Sequence, residues 1–245
     1  MPQETGNIHN WLKSLSLFAM LADDDIATLL RQSQLKELAK GDMLFLQGEP
    51  ARNFYIVISG WIKLFRETGD GHESIAGLCS EGDTFGDAVL YKGAHYPFSA
   101  QAVEPSKVLC IPEASVKELI EQRDSTFAAH IIQAMSQRMH TLELQVEHLS
   151  VMTAPQRIGC FLLKLCRRKA EHNVELILPY DKGLVAMLLG MKLETFSRAL
   201  HQLKPVGVEV KGAMVTVADI HKLQEYVCVS CSQVAEECAK EIGRS

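Results

Sequence analysis

The chain has 245 residues, 47% of them apolar, and a mean hydropathy of +0.02. That is material for two modest domains with cores of their own, and no apolar run approaches the about 20 residues a bilayer crossing needs, which excludes a membrane-spanning protein. The formal charge of −5 is unevenly spread: Pro155 to Lys222 holds eleven basic and six acidic residues, so a net positive segment sits in an otherwise acidic chain, as in a protein with one nucleic-acid-binding half. Seven cysteines, an odd number, fit reduced thiols or ligands better than a disulfide framework, and the N-terminus MPQETGNIHNW lacks the basic-then-apolar layout of a secretory signal, so a cytoplasmic protein is expected.

From Ile8 to about Leu38 the apolar residues Leu12, Leu15, Leu17, Phe18, Leu21, Ile26, Leu29 and Leu30 recur at helical spacing, and Asp23 to Asp25 offer an N-cap for a second run. The period changes from Lys40 to Pro112. Short β-prone runs such as Phe54-Tyr55-Ile56-Val57-Ile58 are separated by Gly41, Gly48, Gly60, Gly69, Gly71, Gly77, Gly82 and Gly86, which predicts an antiparallel β-roll or jelly roll. Gly69-Asp70-Gly71 would be a hairpin tip between strands Trp61 to Arg66 and Ser74 to Cys79.

Helical spacing returns at Glu113, and a long run begins near Thr126. Ala128, Ile132, Met135, Met139, Leu142, Val146 and Leu149 follow steps of four and three, which is the a/d seam of a coiled coil or the inner face of one helix packed on its own domain. Thr153-Ala154-Pro155 ends the run, because proline disfavours helix in the residue before it and suits the first turn of the next helix.

The stretch PYDKGLVAMLLGMKLETFSRALHQLK, Pro179 to Lys204, reads as a helix-turn-helix. Val185, Ala186 and Leu189 form the inner face of a short first helix, and Gly190 supplies the turn. Leu193, Phe196, Ala199, Leu200 and Leu203 can pack inward from the second helix, leaving Lys192, Glu194, Thr195, Ser197 and Arg198 outside. Such a face can read DNA. Arginine donates twice to guanine O6 and N7, glutamate accepts from cytosine N4, and a serine hydroxyl serves a base edge or a phosphate. Val208 to Val210 and Met214 to Val217 then predict a hairpin wing with Lys211 near its tip, able to meet a phosphate.

Ala186, Gly190, Glu194-Thr195-Phe196-Ser197-Arg198 and the following glycine-containing wing resemble the DNA-binding domain of the CRP/FNR superfamily of bacterial transcription regulators. The Glu-x-x-Ser-Arg recognition helix is similar to the FNR and DNR-type branch. That resemblance implies TTGAT-like half-sites in an inverted repeat, read by Glu194, Ser197 and Arg198. It extends to Gln47-Gly48-Glu49-Pro50, Ile58-Ser59-Gly60 and Phe85-Gly86-Asp87 through Ser99-Ala100, which resemble the double-stranded β-helix sensor domain.

The fold expected is therefore α+β, with a jelly-roll sensor domain over 1–125, a dimerisation helix over 126–152, a winged helix-turn-helix over 153–222 and a cysteine-containing tail over 223–245. The effector pocket would be formed by Gly86, Asp87, Phe98 and Ser99. Cyclic-nucleotide-binding members of the superfamily use a Gly-Glu pair and an arginine there; Asp87 and Phe98 stand in those places, and a phenyl ring does not neutralise a phosphate, which argues against cyclic AMP.

Two cofactors remain open. Cys228, Cys231 and Cys238 could hold an iron–sulfur cluster or a zinc ion with a fourth ligand from elsewhere, or could be plain thiols, whereas Cys79, Cys110, Cys160 and Cys166 suit core packing. Haem is the rival implied by the DNR-type resemblance; His9, His72, His95, His130, His140 and His148 are all available and none is singled out. One alternative is a regulator answering a small organic effector or cyclic nucleotide in the β-roll with no metal cofactor; another is an enzyme, for which the paired histidine and carboxylate that a metal-dependent barrel would need are missing but for His72-Glu73 beside the hairpin tip. The expected function is a homodimeric regulator that binds double-stranded DNA, answers oxygen, nitric oxide or redox state, and meets RNA polymerase, as the resemblance implies.

Overall fold

The computed structural model describes residues 2–67, 69, 73–90, 93–121, 127–166, 172–177, 182–212 and 214–228. The chain divides into two compact units, Met1–Thr141 and Leu142–Ser245.

The first unit opens with helices α1 (Pro2–Ser14) and α2 (Asp23–Gln32), which bury Leu12, Ile26 and Leu29. Asp23, Asp24 and Asp25 form the first turn of α2. The N-cap is Ala22, which makes no side-chain hydrogen bond, so the aspartates act by placing negative charge at the positive end of the helix dipole. Residues 34–38 correct the expectation of helix up to Leu38. They form strand β1 (Gln34–Leu38), because the spacing of Leu35 and Leu38 suits a helix but their backbone groups pair with a later strand from Gln34↔Cys110 to Leu38↔Ser106.

β2 (Met43–Phe45), β3 (Asn53–Ser59), β4 (Ile62–Glu67), β5 (Glu73–Cys79), β6 (Thr84–Phe85), β7 (Ser99–Ala102) and β8 (Ser106–Pro112) complete two antiparallel sheets, ordered β1-β8-β3-β6 and β2-β7-β4-β5. This is the expected β-roll. Its core includes Ile56, Ile62, Leu64, Phe85, Ala100 and Val108, and β3, β4 and β8 each bury four consecutive residues, Phe54 to Val57, Ile62 to Phe65 and Val108 to Ile111. An aromatic group anchors it: the Phe45 and Tyr96 rings stack with centroids 3.8 Å apart, and the Tyr96 hydroxyl donates to Asn53 O at 2.8 Å while accepting from Asn53 N at 3.0 Å. The hairpin of β4 and β5 is present, although 68 and 70–72 at its tip lie outside the described residues.

Helices α3 (Glu113–Glu121) and α4 (Phe127–Val151) follow the roll. α4 gives its N-terminal part to the first unit, where Phe127 is buried against the core and Ile131 and Ala134 are packed beside it. Its C-terminal part belongs to the second unit and buries Leu144, His148 and Met152 just beyond its end.

The second unit continues with α5 (Ala154–Cys166), β9 (His172–Ile177), α6 (Lys182–Leu188), α7 (Leu193–His201), β10 (Val208–Lys211), β11 (Met214–Asp219) and α8 (Ile220–Cys228). α5 starts where Pro155 predicted, and Gln156 closes the cap by accepting from both Thr153 N and Thr153 Oγ1 at 2.9 Å. β9 and α8 were not foreseen. β9 pairs with β11 to make a three-stranded sheet, and α8 lies so close to α5 that a Cβ at Gly159 would stand 2.5 Å from Val227 Cγ2. Only a residue without a side chain allows that approach.

Candidate nucleic-acid interface

α6 and α7 meet through Leu184, Val185 and Ala186 on one side and Phe196, Ala199, Leu200 and Leu203 on the other, all buried. Between them Gly190 takes φ +64, a conformation that glycine enters without strain, and Met191 N donates to Ala186 O at 2.9 Å to close the turn. This is the predicted helix-turn-helix, with Ala186 small enough for α7 to cross it closely.

α7 presents Glu194, Ser197 and Arg198 to solvent, with exposed Lys192 at its N-cap and Thr195 half-buried. Glu194 and Arg198 stand one turn apart. Neither hydrogen-bonds or ion-pairs with any described residue, so both groups are free to meet an external partner. Leu193 departs from the reading that packed it inward: it is 49% exposed. Leu200, two helical turns along at nearly the same angle, is buried, so direction is not the cause. Leu193 is the first residue of the helix.

The wing forms as expected. β10 and β11 pair from Val208↔Val217 to Lys211↔Met214, Gly212 turns with φ +65, and Lys211 is exposed at the end of its strand; Ala213 lies outside the described residues.

Along α4, Ile132, Met135, Met139, Leu142, Val146 and Leu149 are all exposed, from 39% for Met135 to 68% for Ile132. A continuous row of six large apolar side chains facing water is the mark of a surface awaiting a second surface. It is the row that the a/d spacing selected.

In the β-roll, Gly86 turns with φ +83 against Tyr55, and Asp87 opens a short 3-10 turn, Asp87–Leu90. Ser99 is buried and accepts from Gln47 N at 2.9 Å. Phe98 packs on the core, and the Arg66 guanidinium lies 4.6 Å from its ring centroid while Arg66 Nε donates to Pro97 O at 2.8 Å. The sequence reading missed Arg66. A cation is delivered to Phe98 from β4, and only the pairing of Phe65 with Ser99 across β4 and β7 reveals it.

Cys79, Cys110 and Cys166 are buried and Cys160 is half-buried. Burial pushes the Cys79 thiol up to about 12 and that of Cys110 to about 11. Both are therefore protonated and unreactive at neutral pH. In the folded protein at pH 8 they are expected to resist a thiol-alkylating reagent, and peptide mass spectrometry after a timed exposure checks this; rapid modification of either would contradict the burial.

The backbone of Cys228 ends α8, while Cys231 and Cys238 lie outside the described residues, as does His72. Among the described residues no group of three or more His, Cys, Asp or Glu side chains is arranged to hold a metal ion. Of the candidate histidines, His148 is buried, and His130 Nδ1 is buried without a hydrogen-bond partner. No helix of the described residues is long and apolar enough to cross a membrane.

Comparison with known proteins agrees with both units. Residues 35–123 match the cyclic nucleotide-binding domain and residues 156–226 the Crp-like helix-turn-helix domain. The chain is 33% identical over 176 residues to the nitrogen fixation regulation protein FixK of Azorhizobium caulinodans, covering 69% of this chain and 68% of that one. It is 31% identical over 186 residues to the fumarate and nitrate reduction regulatory protein of Escherichia coli, covering 74% of each. Among solved structures, a candidate cyclic nucleotide binding protein of Ruegeria pomeroyi matches at a TM-score of 0.68 with 37% identity, covering 89% of this chain and 98% of the other. With a jelly roll joined to a DNA-binding helix-turn-helix, and with relatives of this kind along most of its length, the chain belongs to the CRP/FNR family of transcription regulators.

Proposed function

We propose that the protein is a homodimeric regulator that reads a TTGAT-like inverted repeat and changes its DNA binding with oxygen, nitric oxide or redox state. The observation that carries the DNA reading is the outer face of α7, where Glu194, Ser197 and Arg198 stand exposed over a buried apolar face. In the major groove Arg198 would donate to guanine, Glu194 would accept from cytosine, and Lys192 and Lys211 would hold phosphates. Leu193 adds an apolar tip beside them, and the thymine C5-methyl is the apolar group a base edge offers there. Pairing of two chains along the exposed row of α4 would place two copies of α7 about one helical turn apart, which an inverted repeat requires.

The signal is supported by the company the chain keeps. Relatives include an electron transport regulator, an anaerobic regulatory protein and the fumarate and nitrate reduction regulator. RNA polymerase and a cytoplasmic location belong to the same reading. The test is fluorescence anisotropy with a duplex carrying the repeat and one with its half-sites scrambled. Equal affinity for both at physiological salt would overturn the base-reading role. A visible absorption spectrum of protein purified without oxygen, before and after air, tests the signal.

Arg66 favours a second reading, in which the β-roll takes a small anionic effector or a cyclic nucleotide and no metal cofactor. The guanidinium over Phe98 supplies part of the charge that Phe98 itself cannot. Calorimetric titration with cyclic AMP and cyclic GMP decides it: heat that disappears in Arg66→Ala supports this reading, and no heat in the unaltered protein removes cyclic nucleotides from it.

A further inference from the structure

We infer that Leu149 and Arg157 are positioning residues for DNA recognition, which hold the turn of the helix-turn-helix from behind and tie it to the exposed row of α4. This rests on the dimeric DNA-binding reading above.

The geometry is local to the second unit. A Cβ built on Gly190 would lie 3.1 Å from Leu149 Cδ2 and 3.9 Å from Arg157 Nη1, with no other group of the described residues beyond its own neighbours within 4 Å. The last turns of α4, the first turn of α5 and the turn between α6 and α7 therefore converge at one point. Gly190 N donates to Met187 O, and Lys192 O accepts from Phe196 N, so the turn is hydrogen-bonded into the end of α6 and the start of α7. A shift of this turn carries the first residues of α7, those that would enter the groove, with it.

Leu149 has two faces. One side touches the turn, yet the side chain as a whole is 54% exposed and continues the row of Leu142 and Val146. A second chain packed on that row would settle Leu149 in one rotamer and with it the support behind Gly190. Arg157 supports the turn differently. Its Nε is buried without a hydrogen-bond partner among the described residues and its Nη1 lies 3.9 Å from where a Cβ on Gly190 would stand, so a shorter side chain would leave a gap on that side of the turn.

The experiment uses the full chain and four variants: Leu149→Ala, Leu149→Met, Arg157→Ala and Arg157→Lys. Three quantities are measured for each: sedimentation as a dimer, affinity for the inverted-repeat duplex, and affinity for the scrambled duplex at the same salt. Leu149→Ala, measured at a concentration where it sediments as a dimer, is expected to lose about tenfold or more in operator affinity relative to scrambled DNA, about the loss of one base contact. Leu149→Met is expected to restore most of the loss. Arg157→Ala should lower the operator-to-scrambled ratio similarly, with Arg157→Lys intermediate. An unchanged ratio in dimeric Leu149→Ala and in Arg157→Ala overturns the proposal, as does loss of the dimer in Leu149→Ala together with all DNA binding. Failure of the unaltered protein to distinguish the two duplexes would instead bring down the DNA reading beneath it.

Discussion

Replacing Arg198 with alanine is expected to cut discrimination between the inverted repeat and scrambled DNA by roughly a hundredfold. The side chain is exposed on α7 and has no partner among the described residues, so its removal costs the folded protein little. In the complex it would make two parallel hydrogen bonds to one guanine, which are worth about 1–3 kcal/mol of discrimination. The effect occurs in both half-sites of a dimer, so operator affinity should fall roughly a hundredfold while affinity for scrambled DNA changes little. Lys211→Ala is the contrast. A lysine at the wing tip would hold a phosphate, so its loss should weaken all duplexes alike and reduce the slope of log affinity against log salt by about one for each contact. Anisotropy titrations across a salt series separate the two. If Arg198→Ala behaves like Lys211→Ala, the arginine contacts backbone and the base assignment is wrong.

Met139→Asp is expected to separate folding from assembly. Met139 is 59% exposed, so an aspartate there remains solvated in the single chain and the melting temperature of the monomer should hardly move. In a dimer built on the row of α4 two carboxylates would be buried near each other without a partner. An uncompensated buried charge costs on the order of 3–5 kcal/mol, about a thousandfold in dissociation constant. Sedimentation should show monomers at concentrations where the unaltered protein is a dimer, and operator binding should disappear in parallel because one half-site contact set is too weak alone. A stable Met139→Asp dimer would move the assembly surface off this helix.

Most of the architecture could be read in the residues because their chemistry is local. A glycine at the turn, an apolar face of period 3.6 and a proline after Ala154 state their own conformations, and Gly190, α7 and the start of α5 are where these placed them. The short β-prone runs from Lys40 onward, punctuated by glycines, likewise specify a roll, because each run is long enough for one strand and each glycine permits a turn. What escaped depends on distant pairing. β1 became a strand because β8 was there to receive it, and β9 because β11 was. Arg66 reaches Phe98 through the register of β4 and β7, which no local pattern carries. Leu193 shows a different limit: helical angle was read correctly, but exposure at a helix end depends on where the neighbouring elements stop.

The close approach of α8 to α5 at Gly159 bears on how information could enter the molecule. The cysteine-containing tail continues from Cys228, one residue beyond Val227, and Val227 is pinned to the same helix that carries Arg157. Chemistry on that tail would thus begin from an anchor inside the unit that carries α7, next to the helix that carries Arg157.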